Sequence, residues 1–117
     1  MEDKTVEMAM LFDFFGELLT DRQKDCFELY YSDDLSLGEI AEEMGISRQG
    51  VRDNLVRAEH ALREYEARTG VVRRFEERRR EVEKLEEGLR RLSELLGDGE
   101  ARTLAQTLLR SAEELKG

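Results

Sequence analysis

The sequence contains no proline and no tryptophan, and only one cysteine and one histidine, in 117 residues. A single cysteine excludes an intramolecular disulfide and a thiolate metal site, and it points to a reducing, intracellular compartment. Cys26 sits among apolar positions, where packing is the expected role. His60 stands mid-helix without a His-x-x-x-His or Glu-x-x-His pair, so no metal site is expected there. A Gly-rich phosphate loop and a Ser/His/Asp set are both missing, so nothing supports enzyme activity. Long apolar runs are missing too. The longest near the start is Met8 to Phe12, far short of the ~20 residues that span a bilayer. Met1-Glu2-Asp3-Lys4 offers no basic flank followed by an apolar run, so no signal peptide is expected. These absences together predict a cytoplasmic protein without membrane insertion.

An excess of positive charge is also lacking. The formal net charge is −9, from 19 Lys+Arg against 28 Asp+Glu. This argues against indiscriminate nucleic-acid binding, because phosphate attraction needs local positive charge. The acidity is uneven. Residues 1–46 carry 3 basic and 13 acidic side chains, residues 47–70 carry 5 and 4, and residues 71–117 carry 11 and 11. All the excess acid therefore lies in the first 46 residues. It suits either a basic partner or plain solubility.

What remains is rich in helix signals. Leu, Ile, Val and Phe fill 30 of 117 positions, about a quarter, above the ~20% at which chains tend to stay disordered. No alternating run of β-branched residues predicts a strand. Thr5 to Leu19 reads as a first helix, with Met8, Leu11, Phe12, Phe15 and Leu19 on one face. Thr20 and Gln23 form a capping box for a second, Asp21 to Tyr31, which buries Cys26, Phe27 and Tyr30, with Tyr31 as a further candidate. Ser36 and Glu39 form another box for a short third helix ending at Gly45. Ser47 caps a fourth that runs to Gly70. From Val71 a fifth carries Val82, Leu85, Leu89, Leu92 and Leu96 at heptad spacing. Gly97-Asp98-Gly99 makes a turn. Glu100 to Leu115 closes an antiparallel hairpin, with Ala101, Leu104, Ala105, Leu108, Leu109, Ala112 and Leu115 on one side. Two domains are expected, residues 1–70 and a C-terminal helical extension, 71–117, for packing or dimerisation.

Residues 36–57 form a helix-turn-helix pattern. Ala41 is small where two helices cross, and Gly45 permits the positive φ of a tight turn. Ile40, Met44, Ile46, Val51 and Leu55 supply a shared core. In a recognition helix over 47–69, Arg48, Gln49 and Arg52 face outward at the start. There Arg can fork to guanine and Gln to adenine in a major groove. Ser47, with its free helix-start N–H groups, and Arg57 are placed for phosphates. These five residues, Ser47, Arg48, Gln49, Arg52 and Arg57, are the candidate nucleic-acid contacts. The Arg73-Arg74 and Arg78-Arg79-Arg80 clusters suit either a phosphate-binding stripe or a solvated face; Glu76, Glu77, Glu81, Glu83, Glu86 and Glu87 interleave them at helical spacing and favour the solvated face.

The stretch from Glu39 to Ala58, with Leu18 to Gln23 and Phe27 to Tyr31 before it, resembles region four of sigma factors. A closer resemblance is to the bacterial YlxM family, carried by Leu11 to Thr20, Tyr30 to Ala41 and Ile46 to Leu55 and covering about residues 5–75. It implies an all-α, sigma-region-four-like helix-turn-helix bundle, DNA binding, no enzyme activity and no cofactor. It also implies a regulatory or accessory place in the signal recognition particle (SRP) pathway, with SRP RNA or an SRP GTPase as further partners. Gly50 departs from the alanine usual there, at up to ~1 kcal/mol of helix stability. Beyond Phe75 only the heptads speak. Helix-turn-helix proteins on palindromic sites act in pairs, so a homodimer is expected.

Overall fold

A computed structural model describes residues 2–117, with side chains from Lys4 onward; Met1, part of the leader expectation, lies outside the described residues. The fold is all-α. Among the described residues there are six α-helices and no strand: α1 Glu2–Phe15, α2 Asp21–Phe27, α3 Leu37–Met44, α4 Arg48–Thr69, α5 Val71–Leu95 and α6 Glu100–Lys116. The chain divides into two compact units, Met1–Val72 and Arg73–Gly117.

In the first unit α1 buries Met8, Leu11 and Phe15, and Leu19 follows beneath them. The α-helix stops at Phe15 instead of continuing to Leu19, and its last turn tightens to a 3-10 turn, Gly16–Leu18. Two local demands explain this. Thr20 must be extended to cap α2, and a Cβ at Gly16 would meet the Phe12 ring at 3.0 Å. That ring stacks on Phe27 with centroids 4.6 Å apart. Both expected capping boxes form: Thr20 with Gln23, and Ser36 with Glu39. Each satisfies two otherwise orphaned N–H groups.

After Phe27 the helix widens into a π turn, Glu28–Ser32, closed by Asp33 N–H donating to the Glu28 carbonyl at 3.1 Å. A π turn needs more residues per revolution than an α turn. Tyr31, not Tyr30, therefore returns beneath Phe27, with ring centroids 4.5 Å apart. This corrects the expectation that Tyr30 is buried: it is exposed, while Tyr31 is half-buried. The Tyr31 hydroxyl donates to Glu59 Oε2 at 2.8 Å, and Lys4 Nζ lies 3.1 Å from Glu59 Oε1. One carboxylate on α4 thus ties down both α1 and the π turn.

α4 is the spine of this unit. Its first half places Val51 and Leu55 against Cys26, Ile40 and Ala41, with Met44 and Ile46 half-buried alongside. Its second half places Ala58 and Leu62 against Met8, Leu11, Phe15, Leu19, Phe27 and Val72. Gly70, with φ 63°, ends α4 in the left-handed conformation that favours glycine. Val71 and Val72 then join the same core.

In the second unit, Gly97 to Gly99 reverse the chain between α5 and α6. Lys116 Nζ lies 3.1 Å from Glu86 Oε1, and Leu115 and Lys116 line a cleft with Phe75, Arg78, Arg79 and Val82. The end of α6 therefore lies beside the first half of α5, as an antiparallel hairpin requires. The seam is not the expected leucine stripe. Buried in it are Glu86, Ser93, Ala105 and Ala112, with Val82, Leu89, Leu96 and Leu109 half-buried. Leu85, Leu92, Leu104, Leu108 and Leu115 are exposed. An apolar stripe two leucines wide exceeds what one partner helix can cover, and small Ala105 and Ala112 set the line of close approach.

Candidate nucleic-acid interface

The helix-turn-helix is built from α3, a turn at Gly45 and the first half of α4. Gly45 holds φ 69°, and Ile46 N–H donates to the Ala41 carbonyl at 3.1 Å, closing the turn. Ala41 is buried where α3 meets α4. Cys26 fills the space beneath. Its thiol points at Met44 Sδ, 3.2 Å away, and burial raises its pKa, so it packs as a neutral group.

The candidate contacts occupy different situations. Ser47 is the N-cap of α4; its Oγ accepts from Gly50 N–H at 2.9 Å, so the hydroxyl already serves the helix. Gly50 is tight at this point: a Cβ would stand 3.2 Å from that Oγ. Arg48 folds back over α3. A Cβ at Gly38 would lie 2.9 Å from one of its Nη atoms and 3.1 Å from Nε, beside a shallow cleft bounded by Ser36, Glu39 and Glu42. Gln49 donates through Nε2 to Asp53 Oδ1 at 2.9 Å. Arg52 is exposed and, among the described residues, has no ion-pair partner. Arg57 is likewise exposed and unpaired among them, but five residues turn it about 140° from Arg52.

Gln49, Arg52, Asp53 and Val56 share the outward face opposite Val51 and Leu55. Ser47 and Arg48 adjoin that face at the helix start, and Arg57 lies on another flank. Asp53 and Val56 were missed from the sequence, although their helical spacing from Gln49 and Arg52 was readable. Both have groove chemistry: a carboxylate accepts from cytosine N4, and an apolar side chain meets the thymine methyl. Val56 is 57% exposed, so its burial against a ligand has something to gain.

The surroundings are acidic. α3 exposes Glu39, Glu42 and Glu43 and has no basic residue. Glu39 is held below the usual carboxylate range by the Ser36 backbone N–H and then by the Ser36 side chain, the chemistry of the capping box. A second cleft, between α2 and α3, is lined by Asp21, Asp25, Glu28, Asp33 and Glu43, with Arg22 the one base among its lining residues. Among the described residues no group of three or more His, Cys, Asp or Glu could hold a metal ion. None of the described helices is long and apolar enough to cross a membrane.

A scan against family models matches residues 2–98 to the family described as "Putative helix-turn-helix protein, YlxM / p13 like". The chain belongs to this family. A UPF0122 protein of Thermoanaerobacter sp. (strain X514) is 43% identical over 115 residues, 98% of each chain. One from Caldanaerobacter subterraneus subsp. tengcongensis is 51% identical over 87 residues, 74% of each. One from Bacillus cereus (strain AH187) is 52% identical over 87 residues, 74% of this chain and 79% of the relative. The match reaches residue 98, well past Phe75. All of α5 therefore lies within the family match, contrary to the narrower resemblance over residues 5–75.

Proposed function

We propose that the protein is a non-enzymatic, nucleic-acid-binding regulator that docks the first two turns of α4 in the major groove of duplex DNA, in the manner of sigma region four. The observation that carries this is Arg52. It is an unpaired, exposed guanidinium among the described residues, on the outward face of a capped helix held rigidly against α3. Gln49 and Val56 flank it, Arg48 swings out from Gly38 to join it, and the Ser47 end of α4 faces a phosphate. Arg57 contacts the backbone from the side. Two copies acting on a palindromic site make the working unit a homodimer. Following the family resemblance, the setting is the cytoplasm and the SRP pathway.

Selection of bound fragments from total genomic DNA and total RNA, followed by fluorescence anisotropy across a salt series, tests this reading. Binding should weaken with salt by about 0.9 log units per log unit for each phosphate engaged. Arg52→Ala should cost ~1–3 kcal/mol and relax preference at one position. No binding to any fragment at low salt overturns it; enrichment of SRP RNA alone moves the ligand from DNA to RNA.

The acidic cleft between α2 and α3 favours a second reading. Five carboxylates around one arginine suit a basic protein surface, and an SRP GTPase is the partner this reading names. A pull-down with that GTPase that comes up empty, alongside positive DNA binding, removes it.

A further inference from the structure

The second unit leaves an apolar face uncovered. Leu85, Leu92, Leu95, Leu104, Leu108 and Leu115 are between 46% and 75% exposed. Their placement is regular. Leu85 and Leu92 directly precede the buried Glu86 and Ser93, and Leu95 precedes half-buried Leu96. On α6, Leu104 precedes buried Ala105, Leu108 precedes half-buried Leu109, and Leu115 precedes half-buried Lys116. One residue back along an α-helix is a rotation of about 100°. Because α5 and α6 run antiparallel, the same backward step on each turns both leucine rows to the same side of the hairpin. The rows therefore make one continuous face.

The polar content of the seam reinforces this. Glu86, Ser93, Arg102 and Lys116 occupy seam positions beside Leu89, Leu96 and Leu109, while six other leucines stand outside. The chain spends its larger apolar side chains on a surface that this hairpin alone does not cover. Gly88 lies between Leu85 and Leu92, where a Cβ would meet nothing within 4 Å. Among the described residues nothing packs against this glycine, and its missing side chain leaves room for a helix approaching from outside.

We infer that this leucine face is the dimer interface, and that a second copy of the chain covers it, two hairpins forming an antiparallel four-helix bundle. The inference deepens the homodimer of the proposed function and rests on that part of it. Two observations name the occupant. The first is area: six leucines at these exposures present on the order of 500 Å² of apolar surface per copy, at the upper end for a monomer's largest patch. Doubled and given a polar rim, it reaches the ~1,200–2,000 Å² of a specific interface. The second is charge. Residues 73–80, at the open end, carry five Arg against two Glu, and residues 94–100, at the turn, carry three acids and no base, of which Asp98 is already paired with Arg102 at 3.1 Å. Arg74 and Arg78 share the helical phase of Leu85 and Glu100 that of Leu104, and none of the three has an ion-pair partner among the described residues. A two-fold axis that sets the hairpins antiparallel brings the basic end of each copy onto the acidic end of the other.

Sedimentation equilibrium on the full chain tests this. The parent should weigh twice its 13.6 kDa, with association weakening as salt rises. Leu92→Glu/Leu108→Glu should raise the dimer Kd by ~100-fold or more while far-UV circular dichroism keeps a folded helical spectrum. Arg74→Glu/Arg78→Glu and Glu100→Lys should each dissociate alone and associate when mixed, which keeps the question decidable if the leucine variant unfolds. Dimers that survive both kinds of change overturn the surface but leave the homodimer standing. A parent that is monomeric at every concentration overturns both. Association that strengthens with salt overturns the antiparallel arrangement. DNA binding is read separately by anisotropy, so its failure is not confused with any of these.

Discussion

Removing one hydroxyl, by Tyr31→Phe, should destabilise the first unit by about 2 kcal/mol. The estimate rests on three features of the structure. The bond to Glu59 is short, 2.8 Å, and its acceptor is a carboxylate, a class worth ~1.5–3 kcal/mol. The Glu59 side chain is only 13% exposed, so water replaces the lost donor poorly. The ring contact with Phe27 survives in phenylalanine, so no packing loss is added. Against a total stability of ~5–15 kcal/mol for a typical domain, a midpoint shift of about 1 M urea is expected with the slope unchanged. Glu59→Gln should cost a similar amount, and the double variant should recover about 1–2 kcal/mol relative to the sum. The effect also has a pH signature. Burial first, and then the hydrogen bond to Glu59, push the Tyr31 hydroxyl well above its ordinary pKa. A group whose pKa is raised by folding stabilises fully below its unfolded value, ~10, and loses that contribution as pH climbs toward the folded value. The gap between parent and Tyr31→Phe should thus be widest at neutral pH and close above about pH 10. A gap under ~0.5 kcal/mol at pH 7, or a strictly additive cycle, would refute the view that Glu59 fastens the π turn to α4.

Three further outcomes follow from the same reasoning. Gly38→Ala should stabilise by up to ~1 kcal/mol in thermal melts, because only the flexible end of Arg48 must move aside; destabilisation would mean that Arg48 is fixed in place. Glu39→Gln should keep its box at pH 7 but flatten the acid limb of stability. The lowered Glu39 pKa supports the fold above the ordinary carboxylate range and loses that support as pH falls through the folded value; identical acid limbs would contradict this. Glu86→Leu should leave the hairpin as stable or more so, since apolar replacement of a buried ion pair is often neutral or favourable, whereas a loss above ~2 kcal/mol would show that Glu86 and Lys116 hold the seam.

Local chemistry was the readable part. Thr20, Gln23, Ser36, Glu39, Gly45 and Ser47 act within three or four residues of themselves, so their roles follow from spacing, and all are met in the structure. The helix-turn-helix core from Ile40 to Leu55 was legible for the same reason. The misses involve choices among near-equal alternatives. An α turn or a π turn after Phe27 decides between Tyr30 and Tyr31, and the deciding partner, Glu59, lies 28 residues away. The hairpin seam could follow either edge of a broad apolar stripe, and Ala105 and Ala112 settle it through close approach. At the candidate site, helical phase placed Arg52 outward, but phase alone does not reveal that Arg48 folds over Gly38 or that Gln49 is engaged by Asp53.

The carboxylates of the first 46 residues also govern how fast a polyanion arrives. A duplex approaching α1 to α3 meets repulsion, whereas α4 to α6 carry near-balanced charge. Encounter rates should fall near the ~10⁵–10⁶ M⁻¹s⁻¹ of unsteered association, not the 10⁸–10⁹ M⁻¹s⁻¹ of a basic protein. Residence on unrelated stretches is short for the same reason, since that residence rests on phosphate attraction. If the proposed DNA binding holds, a protein of this charge searches by brief, repeated three-dimensional trials, each oriented by what its own surface refuses.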